Sequence, residues 1–387
     1  MMRNAYLLMV DGDENHNKYY QMTQNNAGTF KVCYGRVGAN GMKRRYPLSK
    51  WDSIYQSKLK KGYQDKTYLY LSTVYQKYKE IEDEGVRSFW EDVERYSKRV
   101  LESNYSISYD KVTPKMIEEA TELLLFIQNQ SFVKPINDAL LDLFQVIPRK
   151  MYKVEEYLVK DLSELSGILD REWSLLDVMK GRVQSLAEKT AENNQTILDS
   201  LGLTILPVTD EKRIKQIKNH LEEESVSKFS RAFRVYNKKT YDRFYQYMDK
   251  NEYKKKDIHY LYHGSRNENW YGLLTKGPML RPQGVIITGK AFGNGIYFAP
   301  RAKKSIGYSS LQGAYRAGGT QNKAYLAVYK VLYKNQKDVN LSYPYDLKNI
   351  APCDAVYAHK GLRLQNDEVI VYREEQITLQ YIIELKA

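Results

Sequence analysis

The sequence predicts a multidomain α+β chain. A small basic β-rich domain covers residues 1–85, a linker 86–112, an all-α domain 113–194 and a mixed α/β domain 195–387. Three observations carry this expectation. At 387 residues the chain is long enough for two or three domains of ordinary size. Its texture changes twice: short β-branched and aromatic runs give way to apolar residues at three- and four-residue spacing, and then to a mixture of both. Its charge is lopsided, because residues 1–80 hold 14 Lys/Arg against 6 Asp/Glu while the whole chain is only +13.

Composition narrows the class. With 42% apolar and 28% charged residues, the chain is not collagen, an end-to-end coiled coil or a wholly disordered protein. No apolar run approaches the roughly 18 residues that span a membrane. Ala5–Val10 is too short for a signal-peptide core, since Asp11, Asp13 and Glu14 follow at once. Cys33 and Cys353 are too few for a disulfide scaffold or a structural zinc site. The expectation is an intracellular protein without metal and without a membrane partner, nuclear in a eukaryote or cytoplasmic in a bacterial or viral setting. The basic balance, with a pI near 9.2, favours an anionic partner such as nucleic acid. The 35 tyrosines, beside many Lys and Asn, are what an AT-rich genome would give, and no function is attached to the count itself.

In the first domain, strands are expected at Ala5–Val10, Lys18–Thr23, Thr29–Tyr34 and Lys43–Leu48. Asn25–Gly28 and Gly38–Gly41 supply the residues that hairpin loops need. Ser49–Gly62 reads as a helix with Ser49 as its N-cap. The charged stretch ending in Ser103–Ser108 reads as linker. Thr113 then caps a helix with Pro114 at its first position. Met116–Ile127, Asn137–Val146, Val154–Ile168 and Arg171–Lys189 carry helical spacing, whose plain explanation is a bundle core. Beyond residue 195 a helix is expected at Arg213–Glu223. Strands are expected at Phe229–Tyr236, Tyr260–His263, Gly295–Ala299, Ala324–Tyr333, Glu368–Tyr372 and Ile377–Leu385.

Three segments of the last third stand out: Tyr262-His263-Gly264-Ser265-Arg266; Phe292-Gly293-Asn294-Gly295-Ile296-Tyr297-Phe298-Ala299 with Ser305 and Tyr308 beyond it; and Asn366-Asp367-Glu368 opening a strand. Singly each has a bland explanation: a hydrogen-bonded core histidine, a strand tyrosine, a solvated strand end. In this order and spacing they resemble the catalytic domain of the poly(ADP-ribose) polymerase family, the His–Tyr–Glu form of the ADP-ribosyltransferase fold. The resemblance runs from about Leu198 to Ala387, and Gly289–Ala299 is its most specific piece.

That resemblance implies an NAD-consuming transferase with His263, Tyr297 and Glu368 as catalytic residues. Cleaving nicotinamide from its ribose builds positive charge on the sugar, which a fixed carboxylate at Glu368 stabilises. The same carboxylate orients an incoming hydroxyl. His263 holds a ribose hydroxyl, Gly264 lets the backbone approach the nicotinamide amide, and Ser305 adds a second bond to it. Tyr297 and Tyr308 flank the pyridinium ring. Ser265 and Asn269 lie toward the nicotinamide ribose and Arg281 toward the adenosine. NAD+ is then a substrate, with no metal. The glycines do not follow a dinucleotide-fold fingerprint, so hydride transfer is not supported.

Tyr34-Gly35-Arg36-Val37-Gly38 resembles the WGR domain of DNA-dependent members of the family, with Tyr34 in place of its Trp. This implies DNA contacts from Tyr34, Arg36, Lys43, Arg44, Arg45 and Lys50; the competing reading is a solvated basic face. Leu143–Pro148 and Leu169-Asp170 resemble the regulatory helical domain, shortened here at its N-terminal side, with Asp170 toward the adenosine pocket. Fewer shielding helices imply appreciable turnover without DNA and modest stimulation by it. The resulting expectation is a protein ADP-ribosyltransferase stimulated by broken or nicked DNA, polymer-forming, with itself among its protein acceptors and a role in DNA repair. The alternatives are mono-ADP-ribosylation, a DNA-end-binding protein whose transferase domain does not turn over, and a nucleic-acid acceptor.

Overall fold

The computed structural model describes residues 2–70, 78–187, 195–280, 291–361 and 364–387. They form two compact units: Met1–Tyr75 with Lys98–Leu186, and Gln76–Ser97 with Ala187–Ala387.

The first unit opens with β1 (Asn4–Asp11), β2 (His16–Gln24), β3 (Thr29–Arg36) and β4 (Met42–Pro47). Helix α1 (Trp51–Leu59) and the short β5 (Gln64–Asp65) follow, giving an antiparallel sheet in the order β4-β3-β2-β1-β5. Alternation sorts its faces. Ala5, Leu7, Tyr20, Met22, Phe30 and Val32 pack under Trp51 of α1, while Tyr6, Leu8 and Val37 fill the other side. The turn between β2 and β3 is held by Asn26, whose Oδ1 accepts from the N–H groups of Gly28 and Thr29, both at 2.9 Å. Between β3 and β4 Gly38 adopts φ +84°, the left-handed region. Ser49 does not cap α1. Pro47 leads into a 3-10 turn over Leu48–Lys50, which delays the α-helix to Trp51 and leaves Lys50 at its cap.

Residues 86–112 are not the expected linker, because α2 (Glu84–Asn104) runs through most of them. Its apolar positions, Val86, Phe89, Trp90 and Val93, repeat at helical spacing and are all buried. The charged residues that suggested a linker lie between them. The helix begins in the second unit and ends in the first.

Helices α3 (Pro114–Gln128), α4 (Val133–Val146) and α5 (Leu165–Ala187) follow. Thr113 caps α3 as expected, accepting from Met116 N. The helix expected over Val154–Ile168 is instead a 3-10 turn at Val154–Tyr157, and α5 starts only at Leu165. Local side chains satisfy the backbone in between. Asn137 exchanges two hydrogen bonds with the Val159 backbone, at 2.8 and 2.9 Å, and the Asp161 carboxylate accepts from Ser163 N. Arg149 is buried at the centre of this unit. It donates to Asn104 Oδ1 at 2.8 Å and to Glu172 Oε1 at 3.1 Å, and it lies over the rings of Tyr105 and Tyr157.

The second unit continues through α6 (Ile197–Ser200), β6 (Leu203–Pro207), α7 (Glu211–His220), α8 (Glu223–Val226), β7 (Phe229–Asn237) and α9 (Lys238–Lys250). Then come β8 (Ile258–Gly264), α10 (Trp270–Thr275), β9 (Ile296–Phe298), α11 (Ala302–Ile306), β10 (Lys323–Leu332) and β11 (Gln336–Val339). β12 (Ala355–Ala358), β13 (Glu368–Val371) and β14 (Ile377–Lys386) complete it. Two sheets result, ordered β6-β7-β14-β10-β8 and β11-β12-β13-β9. One core joins them: Phe233, Tyr325 and Tyr329 of the first sheet meet Phe298, Val369 and Val371 of the second.

The N-terminal half of α2 belongs to that core. Phe89 stacks on Phe233 at 4.8 Å and Trp90 lies 5.3 Å from Tyr271. Asp92, beside them, receives Lys323 at 2.6 Å and the Tyr325 hydroxyl at 3.2 Å. Trp90→Ala is therefore expected to destabilise the second unit by about 3–5 kcal/mol. A change within about 0.5 kcal/mol on chemical denaturation, as for an exposed linker residue, would contradict this packing.

Candidate active site

The site grows from the place where the two sheets of the second unit meet. Tyr262 in β8 and Ala299 just after β9 exchange two backbone hydrogen bonds, each 2.9 Å. That bridge sets His263 beside Tyr297, and the imidazole Nδ1 lies 3.0 Å from the Tyr297 carbonyl oxygen. Phe298 and Tyr329 pack against the imidazole at 5.8 and 6.0 Å between ring centres.

Glycines permit the closest approaches. A Cβ on Gly264 would stand 1.7 Å from the Ser305 carbonyl oxygen, so the end of β8 and helix α11 touch backbone to backbone. A Cβ on Gly295 would stand 2.2 Å from a methyl of Ile370, which seats β9 tightly on β13. In the pairing of those two strands Tyr297 lies opposite Ile370 and Phe298 opposite Val369, with Glu368 one step further along.

Side chains complete the arrangement. The Tyr297 hydroxyl donates to the Gly293 carbonyl at 2.8 Å and accepts from Phe292 N at 3.0 Å. Burial pushes this phenol well above the ordinary tyrosine range, with Glu368 and Tyr308 adding to the effect. The ring thus stays neutral. Tyr308, 41% exposed, sits at the open edge, and its N–H donates to the Ser305 carbonyl. Burial and the charge of Glu368 raise its pKa too. Ser305 itself is buried in α11.

Glu368 is only 8% exposed, and its Oε1 is ion-paired with Lys304 Nζ. The same ammonium donates to the Asn366 carbonyl at 3.1 Å. Burial lowers the pKa of Lys304, while the bond to Glu368 works in the opposite direction. The pair is well matched, a carboxylate fixed by a cation with little water around either. Sequence reasoning missed Lys304. Its neighbour Lys303 is exposed and identical in type, so only the seating of α11 distinguishes them.

Of the residues singled out from sequence, His263, Gly264, Tyr297, Ser305, Tyr308 and Glu368 share this region. Ser265 and Asn269 follow directly after β8 and bond to each other, Asn269 Nδ2 donating to Ser265 Oγ at 2.8 Å. Arg281 lies outside the described residues, as do Gly289 and Lys290 of the glycine segment. Among the described residues no group of three or more His, Cys, Asp or Glu could hold a metal ion. No helix among them is long and apolar enough to cross a membrane.

The residues marked for DNA lie in the first unit and divide in two. Lys43, Arg44 and Arg45 stand exposed on the edge strand β4, with Arg44 5.7 Å over the Tyr34 ring, and Lys50 is exposed at the start of α1. Arg36 is half-buried and bonded within the unit. Its Nε donates to the Met151 carbonyl at 2.8 Å, and both terminal nitrogens bind Asn15. It ties the sheet to the chain that follows α4.

Comparison with known proteins gives one family model and several relatives. The family model for the poly(ADP-ribose) polymerase catalytic domain matches residues 211–318. The "Uncharacterized protein 101L" of Invertebrate iridescent virus 6 is 31% identical over 49% of this chain and 80% of its own length. The "Putative poly(ADP-ribose) polymerase-like 100L" of the same virus is 27% identical over 42% of this chain and 90% of its own. Poly(ADP-ribose) polymerase 2 of Arabidopsis thaliana is 28% identical over 48% of this chain but only 33% of that longer protein. The chain belongs to the poly(ADP-ribose) polymerase catalytic-domain family, whose members are NAD+-dependent ADP-ribosyltransferases.

Proposed function

We propose that the protein is a DNA-break-stimulated, poly(ADP-ribose)-forming transferase that modifies proteins, itself included, in the response to DNA damage. The observation that carries the chemistry is the convergence of His263, Tyr297 and an ion-paired Glu368 around the Gly264–Ser305 backbone contact.

The roles follow from what each group offers. Nicotinamide lies between Tyr297 and Tyr308, its amide reading the Gly264 backbone and the Ser305 hydroxyl. His263, held through Nδ1, offers its other ring nitrogen to a ribose hydroxyl. Lys304 holds Glu368 by Oε1 and leaves Oε2 for sugar hydroxyls. As the bond between C1′ and nicotinamide breaks, its electron pair leaves with nicotinamide and positive charge grows on the ribose. The fixed carboxylate stabilises that charge. An acceptor oxygen then bonds to C1′, and its proton passes to the carboxylate or to water.

A polar, cationic first unit supports the DNA reading. Lys43, Arg44 and Arg45 present three cations from the edge strand β4 and Lys50 adds a fourth at the start of α1, an arrangement expected of contacts that position phosphates without reading sequence. The mono-ADP-ribosylating reading shares every residue of the site and differs only in whether a second ribose is accepted.

Labelled NAD with and without nicked DNA separates these readings on a protein gel. A ladder supports the proposal, one sharp band supports mono-transfer, and silence leaves a binding module. Stimulation is expected to be modest, and a several-hundredfold rise with DNA would contradict that.

Glu368→Gln is expected to lower polymer synthesis about 100- to 1000-fold while NAD affinity stays nearly constant. Full polymer from that variant would remove Glu368 from its role. Gly264→Ala forces a Cβ onto the Ser305 carbonyl, so α11 has to move. Calorimetry with a nicotinamide analogue should then show affinity falling at least about tenfold, with about 1–3 kcal/mol lost in stability. Replacing Lys43, Arg44 and Arg45 together by Ala should weaken DNA binding and flatten its salt dependence by about one unit per lost phosphate contact. An unchanged slope would move the DNA site elsewhere.

A further inference from the structure

The sheet that carries His263 has a second face, and part of it meets solvent. Side chains alternate along β8, so Leu261 and His263 point toward the core shared by the two sheets while Tyr260 and Tyr262 point away from it. On this second face two covers leave a gap. At one end of the strands Ala232, Leu326 and Ile383 pack with Ile217 of α7 and Ile306 of α11. At the other, Leu332 and Ile258 pack with Phe244 and Met248 of α9. Between them a strip crosses β7, β14, β10 and β8, with Arg234 paired opposite Tyr381 and Lys330 opposite Tyr260.

Tyrosines and cations line this strip. Tyr236 of β7 meets Tyr241 of α9 with ring centres 4.8 Å apart, and Tyr241 meets Tyr245 at 4.4 Å. Lys330 Nζ donates to the Tyr245 hydroxyl at 2.9 Å and stands 5.4 Å from that ring's centre. Tyr236 and Tyr260, on the two outer strands of the strip, are 37% and 57% exposed. Arg234 is exposed and Lys330 half-buried, and among the described residues neither is in an ion pair. The nearby carboxylate of Asp242 is already taken by Lys238 at 2.6 Å.

We infer that this strip binds single-stranded nucleic acid, with bases on Tyr236 and Tyr260 and backbone phosphates on Arg234 and Lys330. Aromatic faces accept any base and cations follow the backbone, which is how single strands are held without sequence preference. Three strand spacings separate β7 from β8, about 14 Å, the length of about four stacked nucleotides. A duplex keeps its bases stacked on one another, so it offers these rings nothing. The balance of rings and charges also favours a nucleic-acid strand over ADP-ribose polymer. The strand carries a single phosphate for each base, whereas the polymer carries a pyrophosphate for each adenine. The strip lies on the face opposite His263, apart from every residue assigned to NAD.

The test reads fluorescence anisotropy of a labelled single-stranded oligonucleotide of about twelve bases on the full chain without NAD, with nicked duplex as a parallel probe. Tyr260→Ala should weaken single-strand binding about tenfold, both alone and with Lys43, Arg44 and Arg45 replaced by Ala, through the loss of one stacked base. Alone, it should leave nicked-duplex binding and nicotinamide release within about twofold, since neither uses this face. Tyr260→Phe should keep the affinity, because the ring remains. Arg234→Gln with Lys330→Gln should flatten the dependence of log affinity on log salt by about 1.4, at about 0.7 for each phosphate contact on a single strand. Failure of the unaltered chain to bind the oligonucleotide overturns the inference. So does unchanged affinity in Tyr260→Ala, or a Tyr260→Phe variant as weak as the alanine one. Tighter binding of ADP-ribose polymer through the same residues would assign the strip to that polymer and overturn it too. Because binding is read without NAD, each of these outcomes leaves the transferase reading intact.

Discussion

The two hydrogen bonds between Tyr262 and Ala299 are the constraint on which the catalytic geometry depends. They join the edges of two sheets that also share one side-chain core. Once that join is made, His263 has to lie beside Tyr297, and Gly264 has to meet whatever follows β9. The next element is α11, which brings Ser305 against Gly264 and Lys304 onto Glu368. One backbone contact thus gathers residues separated by up to about a hundred positions. The glycines are necessary for a physical reason: at Gly264 and Gly295 a methyl group would fall inside a neighbouring atom.

That dependence explains which parts of the site sequence reasoning could find. Gly264, Gly293 and Gly295 stand at fixed offsets from His263 and Tyr297, so close backbone approach leaves a mark in the chain. The strands of both sheets also left one, as alternating or continuous apolar runs. Lys304 left none. It differs from Lys303 only in facing inward, and that facing is decided by contacts with β8 and β13 far along the chain. The helix α2 was hidden for the opposite reason. Its spacing of Val86, Phe89, Trp90 and Val93 was present, but dense surrounding charge resembles a linker until a hydrophobic partner is known. Arg36 shows the same limit: its bonds to the Met151 carbonyl and Asn15 left no mark in the sequence.

Buried charge is handled alike in the two units. In the first, Arg149 meets Glu172 and is sandwiched by aromatic rings; in the second, Asp92 and Glu384 receive Lys323 and Arg231. Such pairs contribute little net stability, because desolvation offsets much of the attraction. Removing one partner is costly, so they fix which surfaces meet. The Lys304–Glu368 pair follows the same rule at the reacting centre. There, holding one carboxylate oxygen also determines where the other points.

The exposed cations obey a different logic. Lys43, Arg44 and Arg45 lie on an edge strand, where charge also prevents two sheets from pairing edge to edge. Edge protection alone does not require three consecutive cations, since alternate residues on a strand face opposite sides. Three in succession make both faces of β4 cationic, more than the avoidance of edge pairing requires.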